Sequence, residues 1–496
     1  MGLRAGGPTG GGRPRLTPIE PVGALEYHRL TVHHPDREWP ADRRLVRGFR
    51  PMQWETKPPP HKTYPGGAAT LLPDELAPGG PRPVDVGLVG RLLFLSAGVV
   101  RMLPVPGGPM WFRAAGSAGN LAPVEVYLLT GDLDGLEAGL YHYEPVDHAL
   151  VRLRDVPAGT PPALVLTGVP WRTGWKYRER GFRHLWWDAG TMLAHVLAVA
   201  SDAGLDARVE LGFVDAEVAA FVGADRVHEL PLALVGLQGR SALPPPEPVP
   251  PGHLADDPFE FPLVTAAYRA GELADAAELA AWRQAAAGLG PAAAHAPVEP
   301  PWDGPVDYVV LRRGSTRRFD AGAVAPAALV KGLRWSIAPA PLDALPSGAS
   351  LLEHLLLVHA VEGVAPGAYR LAGGELVELG QGGLRDVGRY LCLGQRLGGD
   401  GALTAFHAAD LDRVTAVLAD RGYRAALLEA GIVEGRLHLA AFGLGLGATG
   451  LTFFDDEVSR FFATSAAPML VTAVGVPAYR SRPGGRPRRP VRMRAR

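Results

Sequence analysis

Short apolar bursts with two-residue alternation recur along the chain, separated by stretches with helical spacing. Residues 84–102 space their apolar side chains as an amphipathic helix. Val124-Glu-Val-Tyr-Leu-Leu129 combines alternation with β-branching and predicts a buried strand. Leu140-Tyr-His-Tyr143 and Leu150-Val-Arg-Leu153 predict a hairpin around Pro145-Val-Asp-His148, and Ala163-Leu-Val-Leu-Thr167 predicts another strand. Residues 171–203 hold one or two helices, residues 205–211 begin the return to sheet, and residues 231–236 close the set with a strand.

Between these elements the pattern breaks down. Residues 1–24 are rich in Gly, Arg and Pro and predict a disordered lead-in. Residues 27–64 lack periodicity and predict an extended arm over a surface, with no independent element. Residues 241–252 (SALPPPEPVPPG) form a semi-rigid proline linker, residues 266–287 an Ala/Glu-rich helix, and residues 295–305 a second Pro-rich connector.

From Tyr308 the order of elements starts again. Gly135-Leu-Glu-Ala-Gly-Leu-Tyr-His-Tyr143 is echoed by Gly363-Val-Ala-Pro-Gly-Ala-Tyr-Arg370. Asp188-Ala-Gly190 and Glu429-Ala-Gly431 are each expected to open a helix, and the terminal strands match over residues 232–237 and 469–474. The expected organisation is a first α+β domain over 25–240, a linker with one helix over 241–305, a second copy over 306–480 and a basic tail over 481–496. A domain repeated in one chain is a fused dimer, each copy covering the other's missing surface.

Length and composition narrow the picture further. The 496 residues suit two domains of roughly 200 residues plus connectors. Fifty Lys and Arg stand against 51 Asp and Glu, a formal charge of −1, so no global polyanion-binding signature exists. The single cysteine, Cys392, excludes an intramolecular disulfide framework and reads as a small buried residue. No apolar run approaches the ~20 residues that span a bilayer, and the first residues lack the core of a secretory signal. A soluble cytoplasmic protein is expected. The histidines, His33 and His34 included, show no metal-ligand spacing, so no metal is expected.

Candidate chemistry centres on Leu311-Arg-Arg-Gly-Ser-Thr-Arg-Arg-Phe-Asp320. Arg313, Ser315 and Arg317 alternate just before a predicted helix over 325–333. Planar guanidinium forks, a hydroxyl and a helix N-terminus suit a phosphate monoester; a solvated basic loop fits the same residues.

Five stretches in this order resemble one family. They are Ser117-Ala-Gly-Asn-Leu-Ala-Pro-Val-Glu-Val-Tyr127, Gly139-Leu-Tyr-His-Tyr143, Trp171-Arg-Thr-Gly-Trp-Lys-Tyr177, Arg313-Gly-Ser-Thr-Arg317 and Gly447-Ala-Thr-Gly-Leu-Thr-Phe-Phe-Asp-Asp-Glu457. From Tyr27 to about Arg489, duplication included, the chain resembles the SagB/ThcOx-type branch of the nitroreductase-like FMN flavoprotein superfamily. The resemblance implies two tandem nitroreductase-like α+β domains forming an intrachain pseudo-dimer, with FMN at the interface. It further implies that Arg313, Ser315 and Arg317 grip the FMN phosphate, while Ser117, Gly119 and Asn120 come from the other copy. Thr449 and Gly450 would supply a turn near the flavin ring, and Arg488 or Arg489 a further phosphate contact if the tail is not disordered.

The copies are unequal. The first lacks an Arg-x-Ser-x-Arg segment, Ser350 stands in for Asn120, and Gly422-Tyr423 is matched with Lys176-Tyr177. One complete composite site and one degenerate site are expected. In azoline-oxidising relatives a Lys-Tyr pair is needed beside the flavin, and Lys176-Tyr177 matches it: a desolvated Lys serves as general base and a Tyr donates or relays. From the residues alone, a helix-face lysine and a core aromatic fit as well. Arg172, Arg178, Arg183 and His184 read as a solvated helix face or as a surface for an acidic peptide; His142 and Tyr143 read as hairpin packing.

Three functions are implied. The first is an FMN-dependent dehydrogenase converting azolines to azoles in a ribosomally made peptide, with cyclodehydratase or other biosynthetic partners. The second is an NAD(P)H-dependent nitro, quinone or flavin reductase, and the third a non-catalytic flavin-binding subunit.

Overall fold

Two antiparallel sheets carry the same strand order. In the computed structural model, residues 20–36, 51–105, 108–289, 298–345 and 349–494 are described. The first sheet runs Ala69–Leu71, Ala149–Asp155, Gly139–Glu144, Val124–Thr130, Ala163–Gly168, Leu230–Gly236, Arg208–Glu210. The second runs Glu375–Gln381, Gly367–Ala372, Leu352–Val358, Leu403–Ala409, Ala467–Gly475, Gly447–Leu451. Strip the outermost strand from the first and the two orders coincide. The fold is α+β, two nitroreductase-like halves in tandem. In the first sheet, Val124–Thr130, Ala163–Gly168 and Leu230–Gly236 are buried at every position, as central strands covered on both faces must be.

One long helix from each half forms the seam, Gly181–Asp202 from the first and Arg421–Gly443 from the second. They cross at Gly190 and Gly431. A Cβ on Gly190 would stand 2.3 Å from the Leu428 carbonyl oxygen, and one on Gly431 would stand 2.5 Å from that of Trp187. Asp188-Ala-Gly190 and Glu429-Ala-Gly431 therefore lie inside helices and do not open them, because the backbones need the missing side chains at mid-crossing.

Paired charges lock the seam. Arg183 Nη1 donates to Asp455 Oδ1 at 2.7 Å and Arg180 Nη1 to Asp455 Oδ2 at 3.1 Å. On the other side Arg421 Nη1 donates to Asp215 Oδ2 at 2.6 Å and Arg424 Nη1 to Asp215 Oδ1 at 3.1 Å. All six side chains are buried. Burial pushes the Asp455 carboxyl up, but the Arg180 and Arg183 charges outweigh it and hold it well below the usual carboxylate range. Arg183 is thus no solvated helix face, and Arg172 is likewise buried, 2.5 Å from Glu125.

These pairs fix the register of the repeat. Arg180, Arg183, Asp188 and Gly190 match Arg421, Arg424, Glu429 and Gly431. The same offset sets Lys176-Tyr177 against Val417-Leu418, not Gly422-Tyr423. Both preceding helices, Pro170–Tyr177 and Leu411–Leu418, end at this position, each followed by a positive-φ residue, Arg178 and Ala419.

Other expectations are corrected locally. The helix expected over 84–102 spans only Val86–Ala97, because Gly98 turns extended and starts the strand Val99–Val105. The helix expected over 266–287 is two, Pro262–Ala270 and Ala276–Ala287, divided at Gly271 and restarted by Asp275, whose carboxylate caps Ala277 and Glu278 N–H. The helix Ala24–Leu30 joins the end of the expected lead-in over 1–24 to the start of the arm over 27–64; residues 1–19 and 37–50 lie outside the described residues. Residues 484–493 of the basic tail are ordered by pairing: Val491–Arg492 adds parallel to Val99–Val105. Cys392 is fully buried. Among the described residues no helix is long and apolar enough to cross a membrane.

Candidate active site at the seam

The loop after Gly108–Arg113 is held from below by one carboxylate. Ser117 Oγ donates to Asp188 Oδ2 at 2.6 Å, Ala118 N–H to Oδ1 at 3.0 Å, and Ala122 N–H closes the loop on Ser117 Oγ at 2.8 Å. Gly119 takes φ 62°, which a side chain resists, and an added Cβ would meet Lys176 Cδ at 3.1 Å and the Tyr177 hydroxyl at 3.2 Å. Loop and Lys-Tyr pair are therefore packed together.

Lys176 and Tyr177 end the helix Pro170–Tyr177, which the arm straps in place: Trp171 Nε1 donates to Thr56 O and Trp175 Nε1 to Gln53 O. The Tyr177 ring stacks on His184, centroids 3.8 Å apart. From the second half, Thr316 N–H donates to Ala448 O at 2.9 Å, laying the Arg-x-Ser-x-Arg segment beside Gly447–Leu451. The result is a cavity of about 410 Å³. Ser117, Gly119, Lys176 and Tyr177 line one side; Ser315, Arg317, Thr449 and Gly450 line the other.

The electrostatics favour an anion. Arg313 is buried, its Nε donates to Ala114 O at 2.8 Å, and its Nη1 has no partner. Arg101 lies against it, donating to the Arg313 and Leu311 carbonyls. Neither guanidinium forms an ion pair with a described residue. Burial and the Arg101 charge push the Arg313 guanidinium down to about 9. A phosphate reaching the free Nη1 would relieve that strain, so these residues fit the phosphate of the implied cofactor. Burial, then the Arg317 charge, lowers the Lys176 ammonium. Burial raises the Tyr177 phenol, with Asp188 adding to it. Burial also lifts the Asp188 carboxyl to about 7 against its two loop hydrogen bonds.

Three expected residues are outside the cavity lining: Arg313 stands behind it, its Nη1 3.2 Å from a Cβ placed on lining Gly116, and two lie elsewhere. Asn120 Nδ2 donates to Trp111 O at 2.9 Å, and the side chain lines a neighbouring cleft with Trp54 and Met110. Its φ of 58° turns it away from the cavity that Gly119 faces. Arg488 donates to Leu72 O at 2.9 Å and pairs with Asp74, bound to the first half's outer loop. Residues that sequence reasoning passed over stand in the cavity instead: Asp188, Trp187, Glu434 and His438, with His184 turned inward. The available signal for Glu434 and His438 was two polar side chains one turn apart within an otherwise mostly apolar helix.

The pseudo-symmetric position is built differently. Ser350, set against Asn120 by the sequence, stands in place of Ser117 instead: its Oγ donates to Glu429 Oε1 at 2.6 Å, and Leu351 N–H donates to Oε2 at 2.9 Å. Val417 and Leu418 replace the Lys-Tyr pair. Leu211 and Gly212, the counterparts of cavity-lining Leu451 and Thr452, donate their N–H groups to the Asp343 carboxylate at 2.7 and 2.9 Å. Val209 N–H donates to Pro341 O at 2.9 Å. The second half's own chain covers this edge.

No family model matches the chain. A protein of Methanocaldococcus jannaschii named as a nitroreductase is 27% identical over 168 residues, 31% of this chain and 80% of that protein. The microcin B17-processing protein McbC of Escherichia coli is 31% identical over 136 residues, 23% of this chain and 50% of that protein. The crystal structure of a protein from Anabaena variabilis, titled a nitroreductase, superposes with a TM-score of 0.74 at 25% identity, covering 92% of this chain and 99% of that one. The likeness to that structure runs through both halves, and the shared strand order, the seam and the motifs agree with it. The chain carries the nitroreductase-like fold in tandem, two-domain form, and it is similar to proteins named as nitroreductases and to McbC.

Proposed function

We propose that the chain is an FMN-dependent dehydrogenase that oxidises an azoline ring, or a related C–C or C–N bond, in a ribosomally made peptide. The observation that carries this reading is the seating of Lys176 and Tyr177 in the same cavity as Ser315 and Arg317. The likeness to McbC, whose name is that of a peptide-processing protein, supports it.

FMN, when bound, supplies the hydride acceptor. Arg313, Ser315 and Arg317 hold its phosphate, and the loop at Ser117 and Gly119 and the turn at Thr449 and Gly450 flank it. Azoline aromatisation also removes a proton. Lys176 Nζ takes it, its basicity set by burial and Arg317, and the Tyr177 hydroxyl, packed against Gly119, relays it. A cyclodehydratase, which forms azolines, is the class of partner that supplies this substrate, and the setting is cytoplasmic.

A second reading, reduction of nitro or quinone compounds by NAD(P)H, is favoured by the names of the Methanocaldococcus and Anabaena relatives. The FMN-loaded protein should be given an azoline-bearing peptide in air and, separately, NADPH with a nitroaromatic. Loss of two hydrogens per ring by mass spectrometry, abolished in Lys176→Ala, supports the first reading. NADPH turnover that is untouched by Lys176→Ala, with no change in the peptide, overturns it for the second.

A further inference from the structure

Two polar side chains in the cavity have no part in the chemistry above. Glu434 and His438 sit one turn apart on Arg421–Gly443, with His438 Nε2 3.6 Å from Glu434 Oε1. His438 is 3% exposed, lines the cavity, and neither ring nitrogen has a hydrogen-bond partner. A buried imidazole with both nitrogens unmet is costly unless something arrives to meet them.

The molecule carries its own control. The offset that pairs Asp188 with Glu429 places Leu193 and Leu197 of the other long helix opposite Glu434 and His438. Both leucines are buried. The scaffold therefore accepts leucine at both places, on the side where Asp343 covers the edge. Leu197 lines a separate cleft with Trp302 and Arg436, whereas Glu434 and His438 face the cavity of Ser315 and Arg317, so packing alone does not account for them.

Position selects the ligand's chemistry. A Cβ on Gly116, which lines the cavity, would stand 3.2 Å from Arg313 Nη1 and 3.4 Å from Thr191 Cγ2, and one on Gly435 would stand 3.0 Å from Thr191 Cα. Thr191 thus links the free Nη1 to the helix turn that carries Glu434 and His438. We propose that His438 is a further cofactor-contacting residue, donating from its ring to the phosphate monoester that Arg313 holds, with Glu434 as the positioning residue that turns the imidazole. Nε2 faces Glu434, which leaves Nδ1–H to donate to the phosphate when both ring nitrogens carry a proton.

This rests on the FMN reading, and the experiment separates the two. FMN and riboflavin dissociation constants are measured by flavin fluorescence quenching for the parent, His438→Leu and His438→Gln, with circular dichroism as the fold check. The expected result is an about tenfold or greater weakening of FMN by His438→Leu, no change for riboflavin, and partial recovery in His438→Gln, which keeps a donor. Equal weakening of FMN and riboflavin, or none of either, overturns the phosphate contact while leaving the FMN reading intact. A parent that binds neither flavin overturns both. If His438→Leu fails to fold, the claim that the scaffold accepts leucine there is wrong, and the inference falls with it.

Discussion

Ser117 Oγ donates to Asp188 Oδ2 at 2.6 Å, a bond that ties the cavity loop to the middle of the seam helix. Ser350 and Glu429 repeat it across the molecule at the same distance. An interaction kept on both sides, including the side whose edge is covered, belongs to the fold; whatever differs between the sides belongs to the site. By that criterion we propose that the Lys-Tyr pair, Glu434 and His438 serve the site, while the Ser–carboxylate clasp is structural.

The clasp predicts a pH signature. Burial raises the Asp188 and Glu429 carboxyls to about 7. An acid whose folded pKa exceeds its unfolded value binds more protons when folded, so its contribution falls as pH rises from roughly 4 to about 7 and is constant above. Buried neutral histidines such as His184 and His195 are lowered by burial and act oppositely, destabilising the fold as pH drops below roughly 6.5. The test is therefore a difference. Asp188→Asn, whatever constant cost its lost acceptor brings, should gain on the parent between pH 5 and 8 in urea midpoints. A pH-independent difference would show that the carboxyl is not raised.

The seam charges give a second expectation. Asp455→Ala strands Arg180 and Arg183, both buried, so about 3–5 kcal/mol of stability should be lost. Asp215→Ala, which strands Arg421 and Arg424, should cost a similar amount. Chemical denaturation of each variant measures this, and a loss under about 1 kcal/mol would mean that water reaches the seam.

The helix crossing sets propensity against packing. Gly to Ala inside a helix ordinarily gains about 1 kcal/mol. At Gly190 the new Cβ would lie 2.3 Å from a carbonyl oxygen of the partner helix, so the sign should reverse. A net loss near the top of the ~1–3 kcal/mol range for overpacking is expected in thermal or urea unfolding. An unchanged or raised midpoint would place the helices farther apart.

Features carried by contiguous residues were legible in the sequence. Paired turn and strand patterns exposed the duplication, whereas Arg313-x-Ser-x-Arg317 and Lys176-Tyr177 stood out only through the family resemblance, since a basic loop, a helix-face lysine and a core aromatic fit the residues alone. What stayed hidden depended on partners far along the chain. Arg183 read as surface because Asp455, its counter-charge, lies 272 residues away. Asn120 and Gly119 are neighbours in sequence, and only the backbone turn between them decides which one faces the cavity. The break at Gly98 was equally silent, since an apolar run continues through it and only its extended dihedrals end the helix.

The covered edge was the least legible feature, and it makes the sharpest claim about the cofactor. Leu211 and Gly212 N–H are taken by Asp343, Val209 N–H by Pro341, and the Lys-Tyr positions are Val417 and Leu418. Among the described residues no carboxylate takes the Leu451 and Thr452 N–H groups; Thr452 accepts from Gln395 Nε2, and both residues line the open cavity. Purified protein reconstituted with FMN should therefore hold about one flavin per chain, counted from visible absorbance against peptide concentration. Arg313→Ala should lose it, because the phosphate then has no buried fork to reach. Asp343→Ala should leave the count at one, since the covered side would still lack a guanidinium grip. Two flavins per chain in the parent would mean that the Pro341–Asp343 cover opens, and the one-site architecture would be wrong.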